Sequence, residues 1–478
     1  MISFSSLDFI IISVFFAILF LIGFLPKKEQ KGNSSEYLLA SRNVGLFLFI
    51  MTNVATWYGG ILGVGEFTYR YGLLSWFTQG LPYYIFAILF AIFFAKKIRS
   101  AELFTIPDKL EQIYGKTVGI LSSLLVFVLV SPAPYLLMVA SLLSMIFNIN
   151  LLPALLISFI VSGIYLLKGG YKSDLYTDVF QFFIMFIGFI LIVYISFTQV
   201  GDLNYLKQNL PQEHLSLTSN VSPIYILVWF LIALWTFADP GFHQRCYAAK
   251  NGNIAKWGII ISVLFMALFD FLTTTTGLFA RASLPNLSNP VQSFPLYAEH
   301  ILGSGIKGIF YAAMFATIIS TLNSFIFLSA TTFGRDFVFK LKKNSTLEKI
   351  PNYTRVGLIF TALVSILIAY FVQSVITMWY LIGSICIPGI IFLVFGAYFE
   401  RIRISKNFAI VEIIGGVTSS VIWFFIREKL NNELLLQIEP MIAGLLFVFV
   451  VHIIGIINFK KHVSFSSVKE QLKRRDKE

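Results

Sequence analysis

Charged residues and cysteines are scarce in this sequence. Only 13% of its 478 residues are Asp, Glu, Lys or Arg, whereas 57% are hydrophobic. The two cysteines, Cys246 and Cys386, lie far apart in apolar stretches, so neither a disulfide framework nor a cysteine metal site is expected. The five histidines include neither an HExxH motif nor a pair four residues apart, which argues against a metalloenzyme and leaves no catalytic residue to name. No loop is long enough for a soluble domain, so a sensor with an output domain is not expected either.

Long apolar runs dominate what is present, and the mean hydropathy is +0.81. A helix of about 20 apolar residues spans the hydrocarbon core of a bilayer. Thirteen stretches of this kind start near Leu7, Val44, Leu74, Val118, Leu151, Leu175, Pro223, Lys256, Ile306, Thr354, Val375, Phe408 and Ile438. We therefore predict an all-α polytopic protein of the cell membrane with about 13 transmembrane helices, whose surroundings are the lipid bilayer.

The distribution of Lys and Arg predicts the orientation, because cytoplasmic loops retain an excess of these residues. One set of alternate loops holds only six of the 36, namely Arg70, Lys207, Arg281, Lys307, Arg427 and Lys429. The other set includes Lys27, Lys28, Lys31 and the basic tail at 461–478. We expect the N-terminus outside and the C-terminus in the cytoplasm. The net charge of +12 then reflects topology, not a nucleic-acid partner. A short amphipathic helix is predicted on the cytoplasmic side at 102–116.

Two of the predicted spans are interrupted by residues that weaken helices. The second span contains Asn53, Thr56, Gly59, Gly60, Gly63 and Gly65, and the seventh ends in Asp239, Pro240 and Gly241. Such breaks free backbone carbonyls, which is tolerated at membrane depth only where they are buried in protein or line a cavity. Because the two breaks are five spans apart, we predict that spans two to six and seven to eleven are inverted repeats, each starting with a discontinuous helix.

The ninth span carries a cluster of polar side chains inside an otherwise apolar helix. The cluster comprises Thr317, Ser320, Thr321, Asn323 and Ser324. With about 3.6 residues per turn, positions 317, 320, 321 and 324 share one face of the helix. Neutral oxygens concentrated in this way suit a hard, weakly charged ion such as Na⁺. The pattern predicts ion-coupled transport, although hydroxyl groups also serve as hydrogen-bonding contacts between helices.

Several segments together resemble the sodium:solute symporter family, which includes sodium-coupled proline, sugar, sialic acid, pantothenate and choline carriers. The segments are ATWYGGILGVGEFTYRYG, FTIPDKLEQIYG, GGYKSDLYTDVFQ, QRCYAAKN and AAMFATIISTLNS, and their order spans nearly the whole chain. The resemblance implies a LeuT-type 5+5 inverted repeat. It divides a single membrane domain, 1–478, into an extra N-terminal helix at 7–25, a ten-helix core at 44–399, two C-terminal helices at 406–460 and the tail at 461–478.

The resemblance also implies sodium sites. The first would use the backbone carbonyls of Met51, Val54 and Thr317 with the hydroxyls of Ser320 and Thr321. In some relatives an acid corresponding to Asp178 completes a second sodium site, here with Ser320, Asn323 and Ser324, where Asn323 replaces a hydroxyl. Alternatively, Asp178 extends toward the cytoplasmic surface or pairs with Lys172.

Solute contacts are implied for the broken helices and two further core helices. The corresponding polar and aromatic residues are Thr56, Trp57, Tyr58, Gln79, Trp235, Trp379 and Tyr380, although aromatic residues are frequent enough here that any one of them can be purely structural. The lysine of sugar-carrying relatives has no counterpart, which disfavours a sugar.

Acidic residues at membrane depth indicate the charge of the solute. These are Glu66, Asp239 and Asp270, and no Lys or Arg lies in the expected middle of a span. A cavity lined by acids alone favours a cationic or amine-bearing solute. Glu66 can instead pair with Arg70, and Asp239 can cap the broken span or pair with Arg245. Asp270 has no partner nearby in the sequence, so we add it to the seven predicted solute contacts as the eighth.

These observations lead to one main hypothesis, the Na⁺-coupled symport of a small organic solute into the cell by alternating access. A proton-coupled carrier that titrates Asp178 or Asp270, or a facilitative carrier on the same fold, is the alternative. A channel is less favoured because a channel needs a continuous polar lining, and no obligate protein partner is indicated.

Overall fold

The structure is a computed structural model that describes residues 3–26, 33–342, 346–430, 433–436 and 438–475. Within these ranges the chain is helical, and its only strand-like pairing is an isolated bridge between Val44 and Ala249. Three of the basic residues that indicate the orientation lie outside the described residues, namely Lys27, Lys28 and Lys31. The end of the tail at 476–478 also lies outside them.

Among the described residues, thirteen apolar segments are long enough to cross a membrane when each of two bent helix pairs is taken as one span, as predicted. Spans 1 to 13 are Ser6–Phe24, Leu46–Tyr58 with Ile61–Tyr71, Leu74–Phe93, Lys116–Phe147, Leu151–Gly169, Tyr171–Val200, Pro223–Ala248, Gly252–Ser283, Ile306–Phe339, Leu347–Val372, Thr377–Cys386 with Ile391–Tyr398, Lys406–Ile426 and Pro440–Lys460. Helices suit this setting because they satisfy their backbone hydrogen bonds internally.

Both predicted breaks are present. In span 2 a short 3-10 turn, Thr56–Tyr58, leads into Gly59 and Gly60, where the axis bends by 57°. In span 7 the 3-10 segment Ala233–Ala238 ends at Asp239, whose extended backbone starts the helix Pro240–Ala248. Each break lies in the first span of its predicted repeat, which is the arrangement expected of inverted repeats.

Two further irregularities were not predicted. Span 4 consists of the helices Lys116–Leu129 and Ala133–Phe147, separated by a turn that contains Pro132. Span 11 bends by 48° just after Pro388. Proline cannot donate a backbone hydrogen bond, so both positions are ordinary places for a helix to be interrupted.

Span 9 forms the centre of the bundle. In its most apolar stretch 89% of the residues are buried, compared with 28% in that of the peripheral span 1. Span 9 packs along span 6, and a Cβ added to Gly188 of span 6 would lie 3.5 Å from the carbonyl oxygen of Ile309. The polar cluster of span 9 therefore faces protein, where hydrogen-bonding partners are available, and is shielded from lipid.

The short helix Ile106–Tyr114 confirms the amphipathic segment predicted at 102–116. Its Asp108 lies 2.7 Å from Arg335 Nη1 and 2.8 Å from Lys340 Nζ, at the end of span 9. Burial opposes ionisation of Asp108, but the two neighbouring cations hold its pKa well below its usual range. These ion pairs fix the short helix against the end of span 9.

Candidate ion and solute site

The break in span 2 lies directly against the middle of span 9. Thr321 Oγ1 donates a hydrogen bond to the carbonyl oxygen of Thr56 over 2.7 Å. The contact depends on a glycine, because a Cβ at Gly59 would lie 2.6 Å from Thr321 Cγ2. The residues predicted to bind sodium are all buried at this contact or in the adjoining turns of the two helices: Met51, Val54, Thr317, Ser320 and Thr321.

Asp178 of span 6 is fully buried beside this contact. Its Oδ1 accepts from Ser320 Oγ at 2.6 Å, and its Oδ2 accepts from the hydroxyls of Thr52 and, at 3.4 Å, Thr56. The alternative pairing of Asp178 with Lys172 is wrong, since Lys172 Nζ lies 2.6 Å from Glu36. The carboxylate is thus held among hydroxyl groups of spans 2 and 9.

Arg245 reaches the same place from span 7. Its Nη2 donates to Thr56 Oγ1 at 2.5 Å and lies 3.9 Å from Asp178 Oδ2, while its side chain is only 3% exposed. This position of Arg245 was not predicted, because the sequence pattern indicates only nearby Asp239 as its partner. Asp239 instead caps the helix after the break, which is the other role predicted for it. It accepts hydrogen bonds from Phe242 N at 2.8 Å and from Trp235 Nε1 at 2.7 Å.

Asp174 is a second buried acid at this site, and it was not among the predicted residues. It lies one turn before Asp178 on span 6, and its Oδ2 accepts from Ser324 Oγ at 2.7 Å. Its Oδ1 is buried without a hydrogen-bond partner among the described residues. The spacing of four residues between Asp174 and Asp178 was the available signal, since such pairs share a helix face. Asn323 turns toward span 5, where its amide lies 2.5 Å from the Tyr165 hydroxyl.

A cavity of about 390 Å³ opens beside the two breaks. All eight residues predicted to contact the solute line it: Thr56, Trp57, Tyr58, Gln79, Trp235, Asp270, Trp379 and Tyr380. Trp379 of span 11 packs on the glycines of span 2, since a Cβ at Gly63 would lie 2.8 Å from its ring. Most of the exposed lining is apolar, which is typical of a pocket for a small organic molecule.

The cavity is not lined by acids alone, so that expectation is wrong: Arg245 lines it together with Asp239 and Asp270. The guanidinium of Arg245 is paired with Asp178, and both oxygens of Asp239 accept hydrogen bonds. Asp270 differs from these two residues. Its Oδ2 accepts from the hydroxyl of Tyr84, Tyr58 is a second hydroxyl neighbour, and no Lys or Arg among the described residues forms an ion pair with it.

Glu66, the remaining acid, does not line the cavity. Its Oε1 lies 2.9 Å from Nε of Arg70 four residues on, which confirms the pairing predicted as its alternative role. Asp270 is therefore the acid of the cavity that neither caps a helix nor forms an ion pair with a described residue.

One hydroxyl of span 2 lies next to the polar cluster of span 9 and also lines the cavity. Thr56 Oγ1 lines the cavity, accepts from Arg245, and lies 3.4 Å from Ser324 Oγ and 3.5 Å from Ser320 Oγ. A bound solute and a bound ion would thus act on the same turn of span 2.

Comparisons with known proteins agree on one family. The family model described as "Sodium:solute symporter family" matches residues 37–416. High-affinity choline transporter 1 of Drosophila melanogaster is 25% identical over 459 residues, which cover 90% of this chain and 72% of that protein. The sodium/proline symporter of Staphylococcus aureus strain JH9 is 24% identical, with 89% of this chain and 93% of the relative covered.

A solved structure has the same fold. The substrate-bound, outward-open state of a Na⁺-coupled sialic acid symporter superimposes with a TM-score of 0.79 at 18% identity, covering 95% of this chain and 97% of that one. Mhp1, a nucleobase-cation-symport-1 family transporter, aligns with a TM-score of 0.54. The architecture is therefore the LeuT-type fold of ion-coupled transporters.

Proposed function

The chain belongs to the sodium:solute symporter family, and on this premise we propose that the solute it carries together with Na⁺ is a small organic cation or amine. Na⁺-coupled symport of a small organic solute across a membrane is the activity that the family establishes. The observation that carries the proposal is the carboxylate of Asp270, which lines a cavity walled by aromatic rings and forms no ion pair with a described residue.

The chemistry of the cavity supports a positive charge on the solute. A carboxylate attracts a cation strongly where water is excluded. Rings such as Trp57 and Trp379 add cation–π attraction of about 0.5 to 2 kcal/mol each. Choline and proline, the solutes in the relatives' names, both contain a cationic nitrogen.

Sodium is assigned in this proposal to the contact between spans 2 and 9. The ligands are the carbonyls of Met51, Val54 and Thr317 with the hydroxyls of Ser320 and Thr321. An alkali cation needs several oxygen ligands and tolerates irregular geometry, which a broken helix beside hydroxyl groups supplies. Bound sodium would order the break that carries Thr56, so that the solute binds well only after the ion.

The same proposal gives the direction of transport. The Lys and Arg distribution supports a topology with the N-terminus outside and the C-terminus in the cytoplasm. A sodium ion that enters the cell down the membrane potential releases about 2.3 kcal/mol of free energy per charge for each 100 mV, and this free energy drives solute uptake. No residue is assigned a catalytic role.

A thermal-shift screen of the purified protein tests the solute class. Amines, quaternary ammonium compounds, organic acids, amino acids and sugars are compared in Na⁺ and in K⁺ buffers. Because a ligand of the folded state raises its stability by mass action, amines should raise the unfolding temperature, and more strongly in Na⁺. Asp270→Asn should abolish the shift, whereas the matched control Asp202→Asn, in an exposed helix cap, should retain it.

Two results would contradict the proposal. Stabilisation by organic acids or sugars, and not by amines, would rule out the cationic solute. Stabilisation by amines that is equal in Na⁺ and K⁺, with uptake driven by a pH gradient, would favour the proton-coupled alternative.

A further inference from the structure

We propose that the guanidinium of Arg245 occupies the place of a second sodium ion, so that this chain binds one Na⁺ and not two. This inference rests on the proposed function, because it concerns the number of ions bound beside the same solute cavity. The group of polar residues around Asp178 and Ser324 can be either a second ion site or a purely structural cluster, and the inference favours the latter.

The first argument is occupancy. Nη2 of Arg245 donates to Thr56 Oγ1 at 2.5 Å, to the Thr52 carbonyl at 3.3 Å and to Ser324 Oγ at 3.3 Å. It also lies 3.9 Å from Asp178 Oδ2. Two of these oxygens, Ser324 Oγ and Asp178 Oδ2, belong to the predicted second sodium site, and the other two border it. A nitrogen that donates hydrogen bonds to them leaves no room for an ion among the same atoms.

The second argument is charge. Arginine stays protonated in proteins, and its planar group donates in several directions at once. A second sodium would have to bind next to this fixed positive charge, where like charges repel strongly because little water screens them. The arginine pairs with Asp178, which is fully buried, while the neighbouring acid Asp174 accepts a hydrogen bond from Ser324.

The third argument is the position of Arg245, which connects the two broken helices. Arg245 lies on Pro240–Ala248, the helix that follows the break in span 7. Its Nη1 donates to the Gly241 carbonyl at 3.2 Å, near that break, while Nη2 bonds the last turn before the break in span 2. The side chain thus links both broken helices. A mobile ion would be lost in each transport cycle, whereas this cation is covalently retained.

The first sodium site is compatible with this arrangement. Ser320 Oγ bonds Asp178 Oδ1, on the oxygen opposite to the one that faces Arg245. Thr321 bonds the carbonyl of Thr56 and makes no hydrogen bond to the guanidinium among the described residues. The carboxylate of Asp178 therefore separates a sodium at Ser320 and Thr321 from the arginine.

Equilibrium binding of radioactive Na⁺ to the purified protein in K⁺ buffer tests the inference without knowledge of the solute. The wild type should saturate at one Na⁺ per chain with a Hill coefficient of one. Arg245→Gln should raise the stoichiometry to two, because it frees the oxygens around Asp178. Arg245→Lys, which retains the charge, should remain at one. Ser324→Ala should also remain at one.

Several results would overturn the inference. Two Na⁺ per wild-type chain, falling to one in Ser324→Ala, would place a second ion at Asp178 and Ser324. One Na⁺ per chain in a folded Arg245→Gln variant, checked by size-exclusion chromatography, would show that the arginine does not block a site. If Arg245→Gln does not fold, the wild-type and Ser324→Ala stoichiometries still decide. The absence of any saturable Na⁺ binding to the wild type would contradict the proposed function itself, so the two failures are distinguishable.

Discussion

At the scale of single residues, the hydroxyls of Ser320 and Thr321 have different roles. Ser320 donates to the carboxylate of Asp178, and Thr321 donates to the carbonyl at the break of span 2. Both hydroxyls can turn their lone pairs to a cation, because a hydroxyl can donate and accept at the same time. Under the proposed sodium assignment, each hydroxyl would be an ion ligand that is also hydrogen-bonded to a group on another helix.

The double variant Ser320→Ala with Thr321→Ala tests this role. Loss of two oxygen ligands should raise the Na⁺ concentration for half-maximal uptake by about tenfold or more, since each polar contact contributes roughly 1 kcal/mol. The measurement is solute uptake into proteoliposomes over a range of Na⁺ concentrations. Ser158→Ala is the control, because that buried hydroxyl bonds only the carbonyl one turn earlier in its own helix. An unchanged Na⁺ dependence in the double variant would contradict the sodium assignment.

At the scale of helices, the close approach of spans 2 and 9 depends on Gly59. Gly59→Ala should push the break away from Thr321 and weaken sodium binding several-fold while the helices still form, because its backbone has ordinary helical angles. Sodium-dependent thermal stabilisation measures the effect. Gly45→Ala is the matched control, as a Cβ there meets no atom within 4 Å. Equal sodium stabilisation in both variants would show that the contact is not part of the site.

The sequence predicts the helices better than it predicts the contacts between their side chains. The breaks at Gly59 and at Pro240 were predictable because glycine and proline act on the local backbone. For Arg245 the sequence indicates a pairing with Asp239 as one of two alternatives, but its ion-pair partner, Asp178, lies on another span. Partners of this kind depend on how helices pack, which no local pattern specifies. Asp174 was a different case, since its spacing from Asp178 was visible in the sequence.

At the scale of the whole molecule, the orientation in the membrane can be tested by surface labelling. A cysteine at the exposed Asn209 should react with a membrane-impermeant maleimide on intact cells, whereas one at the exposed Lys349 should react only after the cells are opened. The wild type provides the background, because Cys246 and Cys386 are both buried. The reverse pattern of labelling would invert the proposed topology.

The shared hydroxyl of Thr56 has a thermodynamic consequence. If sodium strengthens solute binding by ordering the turn that carries Thr56, linkage requires the solute to strengthen sodium binding by the same factor. Neither ligand is then the regulator of the other, because the coupling is a property of their common contact. The interaction energy of the pair can be obtained from either side of the thermodynamic cycle, and the two values must agree.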